Sequence, residues 1–370
     1  MSISKSVYVV TLLAIGCTVS CSLWLVGPPD RHPAIENNGN TSPCRCGSSG
    51  CAEVRWIELD DESARQELED WCHTVGPVVT VKNTEPTNAP AVDSLAFVSW
   101  NTHVGGGNLV GFVRDLRAGV FTEGRRPDHF VLLLQEVFRA GPDVPMTSPE
   151  IFSPKKVEVA PPAGRRIDIV EVAETLKLNL LYVPSMRNGR PGPGGLAEDR
   201  GNAILSTLPL IDLAAIELPL ERFRRVAAAA TVCGRDPSGG VWNLRVCTAH
   251  FDTRTRFPRF FESVGAARKR QAEVLIGSLP ETPAVLGGDL NTWALESLEG
   301  SLELIGDRFQ HPKHPDESPT FELRLLPDRR LDHLFFDLPE GFTAHYQRLD
   351  DRYGSDHYPL LGFIQLTSNR

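Results

Sequence analysis

Two short stretches decide how this chain is read: Tyr353-Gly354-Ser355-Asp356-His357-Tyr358-Pro359, and upstream of it Gly287-Gly288-Asp289-Leu290-Asn291. Each sets acid, amide or imidazole groups beside a short apolar run, where a buried strand ends and its side chains converge on one point. Matching groups recur along the chain. Asn101 follows Leu95 to Trp100, Glu136 follows Phe130 to Leu134, His250 follows Leu244 to Thr248, and Asp332 follows Arg329 to Leu331. Polar groups at several strand ends predict a shared pocket.

Hydrolysis of a phosphate ester needs such a set. A carboxylate like Glu136 can hold a hard divalent cation that keeps several waters and takes further oxygens from a substrate phosphate. Charge developing on the phosphoryl oxygens is stabilised electrostatically, while an Asp or His moves the proton of an attacking water. All candidate ligands are oxygen donors, so Mg²⁺ is the expected ion, and Mn²⁺ also fits. Other hydrolase signatures are missing from the sequence: it has no Gly-x-Ser-x-Gly elbow and no His-Glu-x-x-His pair. Gly105-Gly106-Gly107 lacks the Lys-Ser of a nucleotide phosphate loop and reads as a turn that a substrate can approach.

The chain resembles the endonuclease/exonuclease/phosphatase superfamily, the deoxyribonuclease I-like enzymes. The segments that carry the likeness are Phe97-Val98-Ser99-Trp100-Asn101, Leu134-Gln135-Glu136-Val137, Gly201-Asn202-Ala203-Ile204-Leu205-Ser206, Thr248-Ala249-His250-Phe251-Asp252, Gly288-Asp289-Leu290-Asn291, Arg330-Leu331-Asp332-His333 and Gly354-Ser355-Asp356-His357. They keep the family order over roughly residues 93 to 366, and an ordered series is far more specific than any one short pattern. The resemblance implies an α+β fold, a four-layer α/β/β/α sandwich of two stacked mixed sheets flanked by helices. It further implies that Asn101, Glu136 and Asp356 serve the metal side. His357, oriented by Asp332, would stabilise the phosphoryl transition state, with Asp289 handling the water and Asn291 binding phosphate. His250 joins the catalytic set, and which of His250, His357 and Asp289 is base and which acid stays open. Asn202, near the rim, and Arg225 are the expected substrate contacts, with Arg200 and Thr253 as weaker candidates.

Composition is that of a globular chain: 41% hydrophobic and 23% charged residues in a length of 370. The formal net charge of −9 argues against a broad basic surface for nucleic acid. The acidity is uneven. Residues 1–90 hold 6 Lys and Arg against 11 Asp and Glu, leaving 32 and 36 for the rest, so the catalytic part is nearly neutral.

Three regions are expected. Residues 1–26 carry an apolar run from Val7 to Val26 that suits a signal peptide or a membrane anchor, and Leu13-Ala14-Ile15-Gly16-Cys17 loosely matches a lipoprotein cleavage box. Each reading exports the protein, to the periplasm, a membrane surface or the medium. Residues 27–92 form a linker and a cysteine-containing extension, with one short helix over Asp61 to Thr74. Residues 93–370 form the catalytic domain. Cys44, Cys46, Cys51 and Cys72 fit disulfides in an oxidising compartment better than a zinc knuckle, because Cys44-Arg45-Cys46 has the wrong spacing. Cys233 and Cys247 lie on successive strands of a hairpin, Val226 to Val232 and Val241 to Ala249, with Cys233 opposite roughly Val241, and no bridge is expected between them. Amphipathic helices are expected over Val110 to Ala118, Ile169 to Leu178 and Phe260 to Leu279.

The leading expectation is therefore an exported, Mg²⁺-dependent phosphodiesterase, monomeric, acting on nucleic acid, a phospholipid head group or a small phosphorylated metabolite. The rivals are a phosphomonoesterase and a catalytically silent, surface-anchored binding module on the same fold.

Overall fold

The computed structural model describes residues 54–84, 89–146, 165–188, 195–253, 265–293, 299–310, 312, 316–322, 328–339 and 342–366. Two mixed β-sheets lie face to face, with helices on both outer faces, which is the four-layer sandwich the motifs imply. The six-stranded sheet runs β1 (Arg55–Ile57), β7 (Ile211–Glu217), β8 (Val226–Arg235), β9 (Val241–His250), β10 (Ala284–Asp289), β11 (Asp332–Asp337). The seven-stranded sheet runs β12 (Phe342–Arg348), β13 (Leu360–Leu366), β3 (Ser94–Asn101), β4 (Phe130–Ala140), β6 (Glu198–Ser206), β5 (Asn179–Arg187), β2 (Val79–Val81). Strands β1 and β2 precede residue 93, so the N-terminal extension contributes an edge strand to each sheet.

Side-chain alternation explains the layering, because successive residues of a strand face opposite sides. On β3, Leu95 and Phe97 enter the core between the sheets, while Ala96, Val98 and Trp100 pack outward against helices. Those helices are α2 (Leu109–Ala118) and α3 (Ile169–Leu176), which contribute Phe112, Val113, Leu116, Val172 and Ala173. On β8 the same division sends Ala228 and Ala230 inward and Ala227 and Ala229 outward. There they meet α4 (Ala266–Ser278) and α5 (Gly300–Arg308) through Ala272, Leu275 and Ile305. Covered on both faces, the central strands read as unbroken apolar runs.

Three of the described helices start where a side-chain acceptor caps them. Asp61 accepts from the amides of Ser63 and Ala64 at the head of α1 (Glu62–Cys72), Asn108 from Gly111 in α2, and Asp168 from Val170 in α3. Helix α1 buries Ala64 and Trp71 in a small cluster with Met186 and Leu220. The expected helix over Phe260 to Leu279 begins at Ala266 among the described residues.

Two readings need correction. Strand β4 does not end near Leu134 but continues to Ala140 through a bulge. Cys233 pairs in register with Asn243, not Val241, because the turn is the five residues Asp236 to Gly240, where Asp236 Oδ1 accepts from the amides of Ser238 and Gly240. Cys233 and Cys247 are free. Cys72 is disulfide-bonded, while Cys44, Cys46, Cys51 and the apolar N-terminal run lie outside the described residues. No helix among the described residues is long and apolar enough to cross a membrane.

The sheets approach closely where side chains are small. A Cβ on Gly287 would stand 2.8 Å from Leu133 Cδ1 and 3.0 Å from Ser99 Cβ, inside normal contact.

Candidate active site

At one end of the sandwich both sheets present polar side chains to a common space. In the six-stranded sheet Asp289 pairs with His250 on the parallel strand β9 and with Asp332 on the antiparallel strand β11. The three residues therefore stand abreast on neighbouring strands. Asn291 follows β10 and Arg225 immediately precedes β8 at the same end. The seven-stranded sheet contributes Asn101 from the end of β3, Glu136 from β4, Asn202 from β6, and Asp356 and His357 from the turn before β13.

Glu136 is aimed by backbone geometry. Between Leu134 and Val137 the pairing with β6 slips, so that Gln135 and Glu136 oppose the single residue Asn202. An extra residue of this kind breaks strict alternation and redirects a side chain. Glu136 takes φ 51°, a left-handed conformation that costs a non-glycine residue about 1–3 kcal/mol. The neighbouring turn holds it there: Glu136 O accepts from Gly105 N at 2.9 Å and from Thr102 Oγ1 at 3.1 Å.

Asp289 Oδ2 is the meeting point. Asn101 Nδ2 donates to it at 2.9 Å, His250 Nε2 lies 3.4 Å away and His357 Nε2 3.9 Å away. Asp289 Oδ1 accepts from the amide of Asn291 at 3.0 Å. His250 Nδ1 lies 3.9 Å from Glu136 Oε1, which joins the metal-side carboxylate to the same cluster. On the other flank, His357 Nδ1 is 2.7 Å from Asp332 Oδ2, and Asp356 Oδ1 is 4.0 Å from His357 Nε2 and 3.6 Å from His103 Nδ1.

The turn bearing His357 is tied down from three sides. Ser355 Oγ donates to Asn101 O at 2.7 Å, Trp100 Nε1 donates to His357 O at 3.1 Å, and Tyr358 N donates to Thr320 O at 2.9 Å. Thr320 Oγ1 also accepts from the amides of Leu331 and Asp332, each at 3.0 Å, so one buried threonine sets both members of the His357–Asp332 pair. The Phe321 ring sits 4.8 Å from the imidazole of His357.

Electrostatics divide the two histidines. Burial pulls His357 down, but the Asp332 charge and hydrogen bond, with Asp289 and Asp356, outweigh it and raise the imidazole to about 10. It is an imidazolium at neutral pH. His250 is held well below its ordinary value by burial, then by the charges of Arg225, His357 and Arg200, and is neutral. Burial also pushes the Asp289 carboxyl up, against the attraction of His357.

All ten anticipated residues are at this end of the fold, although two are engaged otherwise than anticipated. Asn291 Nδ2 donates to Phe251 O and its Oδ1 accepts from Trp293 Nε1, both at 2.9 Å. Asn202 Nδ2 donates to Val226 O at 2.6 Å. Asn202 lines a cleft with Glu136, Ser185, Met186, Arg200, Gly201, Arg225 and His250. Thr320 and Phe321 went unread, since nothing in their local sequence marks them. Arg200, read as a weaker candidate, lines the same cleft as Asn202.

The residues present fit a hard cation. Buried oxygens Oδ1 of Asp332 and Oδ1 of Asp356 have no hydrogen-bond partner, and Glu136 is partly open to the cleft. Ligand atoms of Asp289, Asp332 and His357 also lie within 4.8 Å of one another, a spacing that suits an ion. The 2.7 Å bond and the protonated imidazole instead commit His357 to Asp332.

A model of the endonuclease/exonuclease/phosphatase family matches residues 98–357. Similar solved structures include an endonuclease/exonuclease/phosphatase from Beutenbergia cavernae DSM 12333, 21% identical, covering 75% of this chain and 72% of its own, with a TM-score of 0.49. TDP2 of D. rerio, complexed with single-strand DNA product, is 16% identical over 74% of this chain and 99% of its own, at a TM-score of 0.42. The mannosyl-6-phosphatase Bt3783 of Bacteroides thetaiotaomicron VPI-5482 is 12% identical over 73% and 98%, at 0.39. None of the curated proteins matches the chain.

Proposed function

The chain belongs to the endonuclease/exonuclease/phosphatase family, whose members are phosphoester hydrolases, and from that premise we propose that it is an exported, divalent-metal-dependent phosphodiesterase. The observation that carries the reading is the convergence on Asp289 Oδ2 of Asn101, neutral His250 and charged His357, with Asp332 behind the last.

In this reading Asp289 is the general base. Its carboxyl is raised by burial and so is basic enough to accept a proton from water at neutral pH, while Asn101 fixes the orientation of Oδ2. The proton passes from the water oxygen to Asp289, and the oxygen attacks phosphorus in line with the leaving alkoxide. His357, charged and locked by Asp332, directs Nε2–H at a non-bridging phosphoryl oxygen and stabilises the added negative charge. Being neutral, His250 can donate or accept beside Asp289 without adding charge. Glu136, Asp356 and Asn101 would hold Mg²⁺ or Mn²⁺, which supplies Lewis-acid polarisation of the phosphoryl group.

Export rests on the apolar stretch Val7 to Val26 and is supported by the disulfide at Cys72, a bond that persists in oxidising compartments. The test uses the purified full-length protein and bis(p-nitrophenyl) phosphate. Hydrolysis is expected to stop in EDTA and return with Mg²⁺; turnover that persists in EDTA overturns metal dependence, and no turnover with either Mg²⁺ or Mn²⁺ favours the binding module.

A further inference from the structure

The two members of the His357–Asp332 pair ride on separate sheets, and among the described residues no strand ladder joins those sheets. Asp332 opens β11 of the six-stranded sheet, whereas His357 sits on the turn before β13 of the seven-stranded one. How one residue stands against the other across their 2.7 Å bond is thus set from outside either ladder.

Thr320 and Phe321 lie where such a link is needed. Thr320 N and Phe321 N both donate to Arg329 O, and Arg329 N donates to Phe321 O, each at 2.9 Å, which stitches this short segment to the approach to β11. On its other edge Phe321 makes an antiparallel bridge with His357, and Thr320 O accepts from Tyr358 N at 2.9 Å. From between the two, the buried hydroxyl of Thr320 accepts from Leu331 N and Asp332 N, each at 3.0 Å. Leu331 O in turn accepts at 2.9 Å from Leu290 N, the residue after Asp289. Any amino acid at position 320 would supply the amide and the carbonyl. The acceptor for the two amides comes from the side chain, and buried N–H groups that lose their partner force the backbone carrying them to shift.

We propose that Thr320 is a positioning residue for phosphoester cleavage: its hydroxyl sets Asp332 against the ring of His357 and so fixes where Nε2 of that ring points. The effect on rate rests on the esterase reading, whereas the effect on the pair does not. Branching at Cβ keeps Oγ1 in few rotamers, and serine offers the same acceptor with a freer χ1. A misplacement of about 1 Å in a reacting group can cost about 10²-fold in rate, so a displaced Asp332 shows in turnover more than in substrate binding.

The test compares full-length wild type, Thr320→Val and Thr320→Ser, all with native circular dichroism, in Mg²⁺ with bis(p-nitrophenyl) phosphate. Long-range ¹H–¹⁵N spectra of the histidine rings read the Nδ1 hydrogen bond of His357, whose signals are identified by their loss in His357→Gln. Thr320→Val is expected to lower kcat by about 10–10²-fold with KM within about threefold, and to move the His357 Nδ1 resonance. Thr320→Ser is expected to restore the resonance and to hold kcat within about threefold of wild type. Wild-type kcat in Thr320→Val, whatever its melting temperature, overturns the proposal, because a purely structural threonine would lower stability alone. A lowered kcat with the resonance unmoved, or an equal fall in Thr320→Ser, overturns it as well. If Thr320→Val does not fold, Thr320→Cys keeps the bulk of a small side chain with a poor acceptor and is judged by the same outcomes. The ring spectra need no turnover: a resonance that moves in Thr320→Val while wild type hydrolyses nothing sinks the esterase reading alone, and an active wild type matched by Thr320→Val sinks the positioning role alone.

Discussion

Nδ1 of His357, on the turn before the seven-stranded sheet's β13, lies 2.7 Å from Oδ2 of Asp332, the first residue of the six-stranded sheet's β11. The bond spans both halves of the sandwich and fixes which ring nitrogen faces the cluster. Asp332 is fully buried and its second oxygen has no partner, so its charge is matched chiefly by the imidazolium.

Removing either partner therefore has a predictable cost. His357→Ala is expected to lower kcat for bis(p-nitrophenyl) phosphate by about 10²–10³-fold, the usual loss for one preorganised transition-state donor. Asp332→Asn, which keeps the ring but not the charge that holds its proton, should fall by a similar factor. Steady-state rates on variants with native circular dichroism check this; a folded His357→Ala with wild-type kcat removes the residue from the mechanism.

Glu136→Gln keeps the bulge and the side-chain size but loses the charge. Its activity is expected to need far more Mg²⁺, with half-saturation shifted upward by about tenfold or more, since carboxylate charge dominates binding of a hard cation. Titrating activity against Mg²⁺ for both proteins reads the shift directly. An unchanged Mg²⁺ requirement places the cation elsewhere.

The His357–Asp332 pair also predicts how stability follows pH. The folded-state pKa of His357 is raised to about 10 from 6.5, so its stabilisation is fully present below about pH 6.5 and is lost as pH rises through about 10. His250 has the opposite sign: held neutral, it opposes folding increasingly as pH falls below about 6.5, because the unfolded chain takes up the proton first. Urea unfolding of wild type and His357→Gln should show the gap between them narrowing from about pH 6 to about pH 10.5. A gap that stays constant refutes the charged pair.

Gly201 offers a purely steric test. Its absent Cβ would lie 2.0 Å from Val183 O, a backbone atom that cannot step aside. Gly201→Ala should destabilise the protein by about 1–3 kcal/mol or more and displace the adjacent Arg200 and Asn202. A lowered melting temperature together with a raised KM is the expected pair of effects.

Much of this was legible from residues alone, for a physical reason. Strands buried on both faces are continuous apolar runs, so their ends are marked by the first polar residue, and Asn101, His250 and Asp289 announced themselves in that way. Glu136 was legible as a residue but not as a geometry: a bulge is set by pairing with β6, and nothing in Leu134-Gln135-Glu136-Val137 encodes two residues facing one. The hairpin was found but its register slipped, because the type of turn chosen by Asp236 decides the count across it. Thr320 and Phe321 act only through long-range contacts, which local pattern does not carry. Arg225 and Arg200 were legible as candidate substrate contacts, but their burial along one cleft beside Glu136 depends on the fold.

The close approach at Gly287 has a consequence for how such an enzyme can change. Half of the clustered polar residues ride on each sheet, so the gap that Gly287, Ser99 and Leu133 define acts as a gauge for the distance between Asp289 on one platform and Asn101 and Glu136 on the other. A single methyl added there touches no reacting atom, yet it would pry the two platforms apart and detune the chemistry from below. The spacing of the polar cluster is thereby set by the thickness of the sandwich.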